Sequence, residues 1–212
     1  MVAPRDPGTE AAVRDAAPAV GREVVLASRR AFDGKRVRVR VDDVRLPSGR
    51  ETVREVVEHP GAVAIVPITA DGRVLLIRQH HHAIGRTLLG IPAGTLEPAE
   101  PPAETARREL IEETGYAAGR LTELVSYFPS PGYTNERLTI FRADDCRPVG
   151  GGPSPDELIA VVPVPLPDIP ALLAPGPDQI QESKTLVGLL WLFRDDAVRR
   201  RPSPDAPAIE PS

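Results

Sequence analysis

The sequence predicts an α+β fold, a mixed β-sheet packed between helices, with an antiparallel β-hairpin module at its N-terminus. Three observations carry this. Apolar runs of strand length recur through most of the chain, Gly, Pro and Asp punctuate them as turns, and two stretches of helical periodicity stand apart, one midway and one near the end.

Strand patterns begin at Val24. In Lys35 to Val41 the valines Val37, Val39 and Val41 alternate with Arg36, Arg38 and Arg40, which predicts one buried and one charged face. Leu46-Pro47-Ser48-Gly49 is turn chemistry, and Glu51 to Glu58 returns as a second strand. This hairpin module, residues 21–59, is too small to fold alone, so it must pack on the rest of the chain or on a second copy. His59-Pro60-Gly61 separates it from the main domain, residues 60–198. There, residues 62–68 read as a buried strand, Ala70-Asp71-Gly72 as a hairpin turn and residues 73–79 as its partner. Leu88 to Pro92 is another short strand.

Pro98 to Thr114 has helical character, with prolines suited to a first turn, an apolar stripe of Ala103, Ala106, Leu110 and Ile111, and Gly115 as the stop. Strands follow at Leu121 to Phe128 and Arg137 to Ala143, around the irregular SPGYTNE of residues 130–136. A Gly/Pro loop from Arg147 to Pro155 leads to a strand at Leu158 to Val164, a short helix at Ile169 to Ala174 and a long amphipathic helix at Glu182 to Val198. The ends, residues 1–20 and 199–212, are rich in Pro, Ala and charge without periodicity and read as disordered tails.

Composition excludes several classes of function. A net charge of -4 without a long basic stripe argues against a nucleic-acid partner. The arginines at 199–201 read as a solvated helix end. A single cysteine, Cys146, allows no disulfide within the chain and fits a reducing cytosol. The N-terminal residues lack the apolar core of a signal peptide, and no run reaches the roughly 18 apolar residues of a membrane span. A soluble, cytoplasmic protein with no membrane partner is expected. Arginine heavily outnumbers lysine.

The midway helix carries the chemistry. Glu109, Glu112 and Glu113 stand at i, i+3 and i+4, so their carboxylates emerge on one side of the helix. Like charges so placed suit either a solvated face balanced by Arg107 and Arg108 or a set of hard oxygen ligands for Mg²⁺ or Mn²⁺. The wider spacing favours the second. Gly94, Glu100, Arg108-Glu109, Glu112-Glu113 and Gly115 resemble, position for position, the Nudix hydrolase signature GX5EX7REUXEEXGU; Tyr116 departs from it by replacing an aliphatic residue. The resemblance implies a loop–helix–loop in a Nudix-type fold. In it Glu109 and Glu113 ligate metal with help from the Ala93 carbonyl, Glu112 is a further metal-side and catalytic carboxylate, and Arg108 orients these acids.

Outside that segment, residues 24–194 resemble the ADP-ribose pyrophosphatase branch of the family, chiefly through residues 54–65 (REVVEHPGAVAI), 91–98 (IPAGTLEP) and SPGYTNE. The branch implies hydrolysis of ADP-ribose to AMP and ribose 5-phosphate by a homodimer with exchanged N-terminal strands. Arg54 and Glu55 match its adenine-side positions, and Pro131, Gly132 and Glu136 its substrate loop. Arg54 and Glu55 are otherwise exposed residues of a charged hairpin. His81 stands where the branch commonly has arginine, and Gly90 where it commonly has glutamate. His81 is expected to line the pocket; a zinc site on His80 to His82 is disfavoured, because successive strand residues point to opposite faces. The implied general base is Glu157, with Asp156 and Glu136 as alternatives. Three other readings stay open: pyrophosphatase for a different nucleoside diphosphate sugar, a non-catalytic Nudix-fold sensor of nucleotide sugars, and hydrolysis of oxidised nucleoside triphosphates.

Overall fold

A computed structural model of the chain describes residues 21–153, 158–176 and 179–199, with side chains through Arg194. The expected tails, residues 1–20 and 200–212, lie outside the described residues, as do Asp156 and Glu157. The chain divides between Val57 and Glu58 into two compact units.

The first unit is a three-stranded sheet of β1 (Val24–Asp33), β2 (Arg38–Arg45) and β3 (Glu51–Glu58), in that order. β1 and β2 are antiparallel, pairing Val24 with Arg45 and Asp33 with Arg38 across two bulges in β1. The predicted turn closes through Gly49 N–H to the Leu46 carbonyl and Leu46 N–H to the Arg50 carbonyl. β2 starts at Arg38 rather than Lys35, because Gly34 N–H bonds the Val37 carbonyl and closes a turn there. The burial pattern also departs from simple alternation. Val37 is exposed, Val41 and Val44 are buried, and Asp42 between them is buried too. That carboxylate is held by the Ser28 hydroxyl at 2.7 Å and by Arg40 Nε at 2.9 Å to each oxygen, and the Ser28 bond in particular keeps its pKa below the usual carboxylate range. All ten residues of β1 are exposed.

The second unit is built on one mixed sheet. Its main path runs β11 (Ile159–Pro165), β5 (Arg73–His81), β4 (Ala62–Thr69), β10 (Leu138–Pro148), β8 (Tyr116–Ala117). β6 (Arg86–Gly90), β7 (Ala93–Thr95) and β9 (Arg120–Tyr127) pair with β5, β4 and β10 respectively. β4 and β10 are parallel, with Ala62 opposite Leu138, whereas β10 with β8 and β9, β5 with β11, β4 and β6, and β4 with β7 pair antiparallel. β10 runs past the predicted end at Ala143 because Arg147 and Pro148 pair with β8. Proline is tolerated at that terminal position, where it costs the sheet no interior hydrogen bond.

Three helices among the described residues pack on this sheet: α1 (Pro102–Thr114), α2 (Ile169–Leu172) and α3 (Ser183–Arg199). The alternation of β4 sorts the core into two layers. Val63 and Ile65 join Ala106 and Leu110 of α1, while Ala64, Val66 and Ile68 join Leu189 and Leu192 of α3. α1 begins four residues later than the sequence suggests. Pro102 restricts the residue before it, so Pro101 is extended and caps the helix, and Ala99 adopts a left-handed φ of 63°. Ile111, expected in the apolar stripe, is exposed, and the buried face is carried by Ala106 and Leu110. α3 reaches Arg199, one residue into the stretch read as a tail. Among the described residues no helix is long and apolar enough to cross a membrane.

Candidate active site

The site is assembled where β7 crosses β4 and α1 lies beside it. Ala93 and Gly94 pair with Ala64 and Val63, and Ile65 N–H bonds the Pro92 carbonyl, so the segment from Ile91 to Thr95 is fixed to the central strand. α1 ends on Gly115, whose left-handed φ of 75° lets its N–H bond the Ile111 carbonyl at 2.8 Å. That cap sets the length of the helix and hence which carboxylates face β7.

Two of them do. Glu113, buried, accepts the Ala93 N–H at Oε2 over 2.8 Å. Glu109 lies against Gly94 so closely that a Cβ at residue 94 would fall inside its carboxylate. Glycine is therefore required there for space. Burial pushes the Glu109 pKa up, and the neighbouring Arg108 only partly offsets this.

Arg108 is the hub of the remaining acids. Its Nη1 donates to Glu109 Oε1 at 2.8 Å and to Glu112 Oε2 at 3.0 Å, while Nη2 and Nε reach the two Glu100 oxygens at 3.1 and 3.3 Å. Glu100 also accepts the Thr105 hydroxyl at 2.8 Å; with Arg108 as the larger cause, its pKa is lowered. One guanidinium thus serves three carboxylates and is held firmly in its charged form.

The expected single cluster of Glu109, Glu112 and Glu113 is not drawn together. Glu113 faces the backbone, Glu109 the glycine, and Glu112 remains more than half exposed. Among the described residues no three His, Cys, Asp or Glu side chains form a group ready to hold a metal ion. Glu113 accepts a backbone N–H, whereas Glu109 and Glu112 share the Nη1 of Arg108. The donors nevertheless suit a hard divalent cation. They are all oxygen, and Glu109 is a partly buried carboxylate whose pKa is raised chiefly by burial.

A cleft of about 260 Å³ opens beside Ala93, Gly94 and Thr95 and is also lined by His59, Pro129, Glu136, Glu182, Ser183 and Lys184. Glu136 is brought to it by the SPGYTNE segment, which turns on hydrogen bonds from Tyr133 and Thr134 N–H to the Ser130 carbonyl. Asn135 Oδ1 accepts the His59 N–H at 2.8 Å and fixes one rim. Pro131 and Gly132 of the same segment are exposed and do not line the cleft. His81 is not a lining residue either, but its Nε2 lies 3.9 Å from Glu182 Oε1. Arg54 and Glu55 are exposed on β3 of the first unit, where Arg54 bonds Glu23.

Sequence reasoning passed over His59, Glu182, Ser183 and Lys184. One signal for Lys184 was available: the chain holds 26 cationic Lys and Arg residues, of which Lys35 and Lys184 alone are lysines.

The NUDIX domain matches residues 58–183, more than half of the chain, which therefore belongs to the Nudix hydrolase family. Its fold is the α+β arrangement expected from that resemblance. The ADP-ribose pyrophosphatase of Bacillus subtilis is 36% identical over 179 residues, covering 84% of this chain and 96% of that protein. The methanol dehydrogenase activator of Bacillus methanolicus is 33% identical over 181 residues, covering 84% and 97%. Among solved structures, an ADP compounds hydrolase superposes with a TM-score of 0.76 at 27% identity, covering 88% of this chain and all of that one.

Proposed function

We propose that this protein hydrolyses the diphosphate bond of ADP-ribose to AMP and ribose 5-phosphate, using a divalent cation, Mg²⁺ or alternatively Mn²⁺. The observation that carries the reading is the packing of Glu109 on Gly94 and of Glu113 on the Ala93 N–H, which sets two acids against one strand beside an open cleft. The similarity to an ADP-ribose pyrophosphatase over 84% of the chain supports the choice of substrate.

Glu109, Glu113 and the Ala93 carbonyl would hold the cation, with Glu112 as a further metal-side carboxylate. When bound, such a cation neutralises the bridging phosphates and lowers the pKa of a coordinated water. The chain's own residues do the positioning. Arg108 fixes Glu109 and Glu112, and β7 holds its glycine close to the acids. We assign proton abstraction from the attacking water to Glu157, which lies outside the described residues. Glu136, which lines the cleft, is the second candidate. In the same reading Pro131 and Gly132 shape the substrate loop and His81 acts through Glu182.

The active form proposed is a cytoplasmic homodimer with exchanged N-terminal strands, in which Arg54 and Glu55 reach the partner's adenine. The exposure of Val24, Val25, Leu26 and Phe32 on β1 supports a second copy as their cover. Sedimentation of the purified chain is expected to give a dimer, and a monomer at micromolar concentration would remove this part of the proposal.

The test of the activity is a panel of ADP-ribose, ADP-glucose, GDP-mannose and UDP-glucose assayed with Mg²⁺ and with Mn²⁺. AMP release fastest from ADP-ribose is expected; preference for another member moves the assignment to that nucleoside diphosphate sugar. Turnover of none favours the second reading, a nucleotide-sugar sensor acting on a partner enzyme, which the similarity to a methanol dehydrogenase activator supports.

A further inference from the structure

We propose that Lys184 binds a phosphate oxygen of the substrate's diphosphate and that Glu182 positions its ammonium in the cleft wall. This assignment rests on the diphosphate reading above. Both residues line the cleft together with Ala93 and Gly94, the strand on which Glu113 and Glu109 pack. The cleft has two acids in its lining, Glu136 and Glu182, and faces a polyanionic substrate. Among its described lining residues, Lys184 and His59 alone can carry positive charge. Arg108, the neighbouring guanidinium, is already engaged by three carboxylates.

The first turn of α3 is built to hold this lysine. Lys184 Nζ donates to Glu182 Oε1, and Thr185 Oγ1 donates to Glu182 Oε2 at 2.8 Å. The buried Thr185 hydroxyl in turn accepts the Ile91 N–H at 3.0 Å, so Glu182 is tied to the segment that ends in Ala93 and Gly94. Gly90 supplies the space for this arrangement. A Cβ at residue 90 would press on Glu182 Oε2 and lie 3.1 Å from Thr185 Oγ1. A side chain at 90 would therefore require the Glu182 carboxylate to shift from its observed position.

The use of lysine is itself informative in a chain whose cations are otherwise almost all arginine. Its ammonium is a compact charge on a flexible stem, able to swing from Glu182 to a phosphate without losing a planar bidentate pairing. Glu182 keeps a second polar neighbour when that happens, because His81 Nε2 stands 3.9 Å from Oε1.

The experiment compares the full-length chain with Lys184→Met, Lys184→Arg, Glu182→Leu, Glu182→Gln and Gly90→Ala. Each is assayed with the best substrate of the panel and titrated calorimetrically with inorganic pyrophosphate in Mg²⁺, with circular dichroism to verify folding. Lys184→Met is expected to raise KM and the pyrophosphate Kd about 10- to 100-fold, the range of a charge-assisted hydrogen bond, while kcat falls less. Lys184→Arg should recover part of the loss. Glu182→Gln, which keeps an oxygen facing the ammonium, should raise KM less than Glu182→Leu, and Gly90→Ala should raise it without touching either charge. Unchanged KM and Kd in folded Lys184→Met, with the wild type active, would overturn the assignment and leave the diphosphate reading standing. A loss confined to kcat would overturn it equally. A wild type that neither turns over the panel nor binds pyrophosphate removes the diphosphate reading, and this assignment with it.

Discussion

Glu113→Gln is expected to yield a folded protein whose release of AMP from ADP-ribose falls by about three orders of magnitude, equivalent to about 4 kcal/mol of lost transition-state stabilisation. The structure separates the two roles of this residue. Its Oε2 accepts the Ala93 N–H at 2.8 Å in a buried setting, and the glutamine oxygen can accept the same bond, so β7 keeps its anchor. What is lost is the negative charge, which is what the proposed cation requires. Initial rates across a Mg²⁺ titration and a thermal melt read the two consequences separately. A variant that melts normally and hydrolyses at a near-normal rate would take Glu113 out of the proposed ligand set.

Gly94→Ala should be nearly as damaging, although it removes no functional group. The added methyl would overlap the Glu109 carboxylate, so either the acid or the strand must move. Displacing a reacting or ligating group by about 1 Å costs roughly 100-fold in rate, and overpacking costs about 1–3 kcal/mol of stability. Activity should therefore fall at least that far even at temperatures well below the melting transition. Wild-type activity in Gly94→Ala would mean that Glu109 does not need its observed seat against β7.

How much of this was legible in the sequence depends on how local each cause is. The carboxylate helix and its glycines were readable because one short segment supplies the helix, its cap at Gly115 and the glycine that admits Glu109. Spacing along the chain then stands in for position in space. The ion-pairing role of Arg108 was readable for the same reason, and Glu100, matched by spacing alone, lies just ahead of α1 and joins the same network. Asp42 was not. Its burial depends on Ser28 of a neighbouring strand, and alternation alone places a charged residue outside. The wall formed by Glu182 and Lys184 was hidden more completely, since it meets Gly90 and Ile91 only after the sheet and α3 have packed. The late start of α1 belongs to a third kind of miss. Prolines suited to a first turn also forbid the residue before each of them from being helical, and at Pro101 the second effect prevails.

The parallel pairing of β4 with β10 has a further bearing on how the protein acquires activity. Ala62 meets Leu138 only when the chain between them, which contains β7, α1 and the SPGYTNE segment, has closed into a single long loop. Contacts so distant along the chain form slowly and late. The acids, the glycine that seats Glu109 and the carboxylate Glu136 are all carried within that loop, so their relative placement becomes defined only when its two ends are joined. Recovery of hydrolysis during refolding should therefore lag the return of helical signal and coincide with closure of the central sheet, making the enzyme's own turnover a gauge of its last folding step.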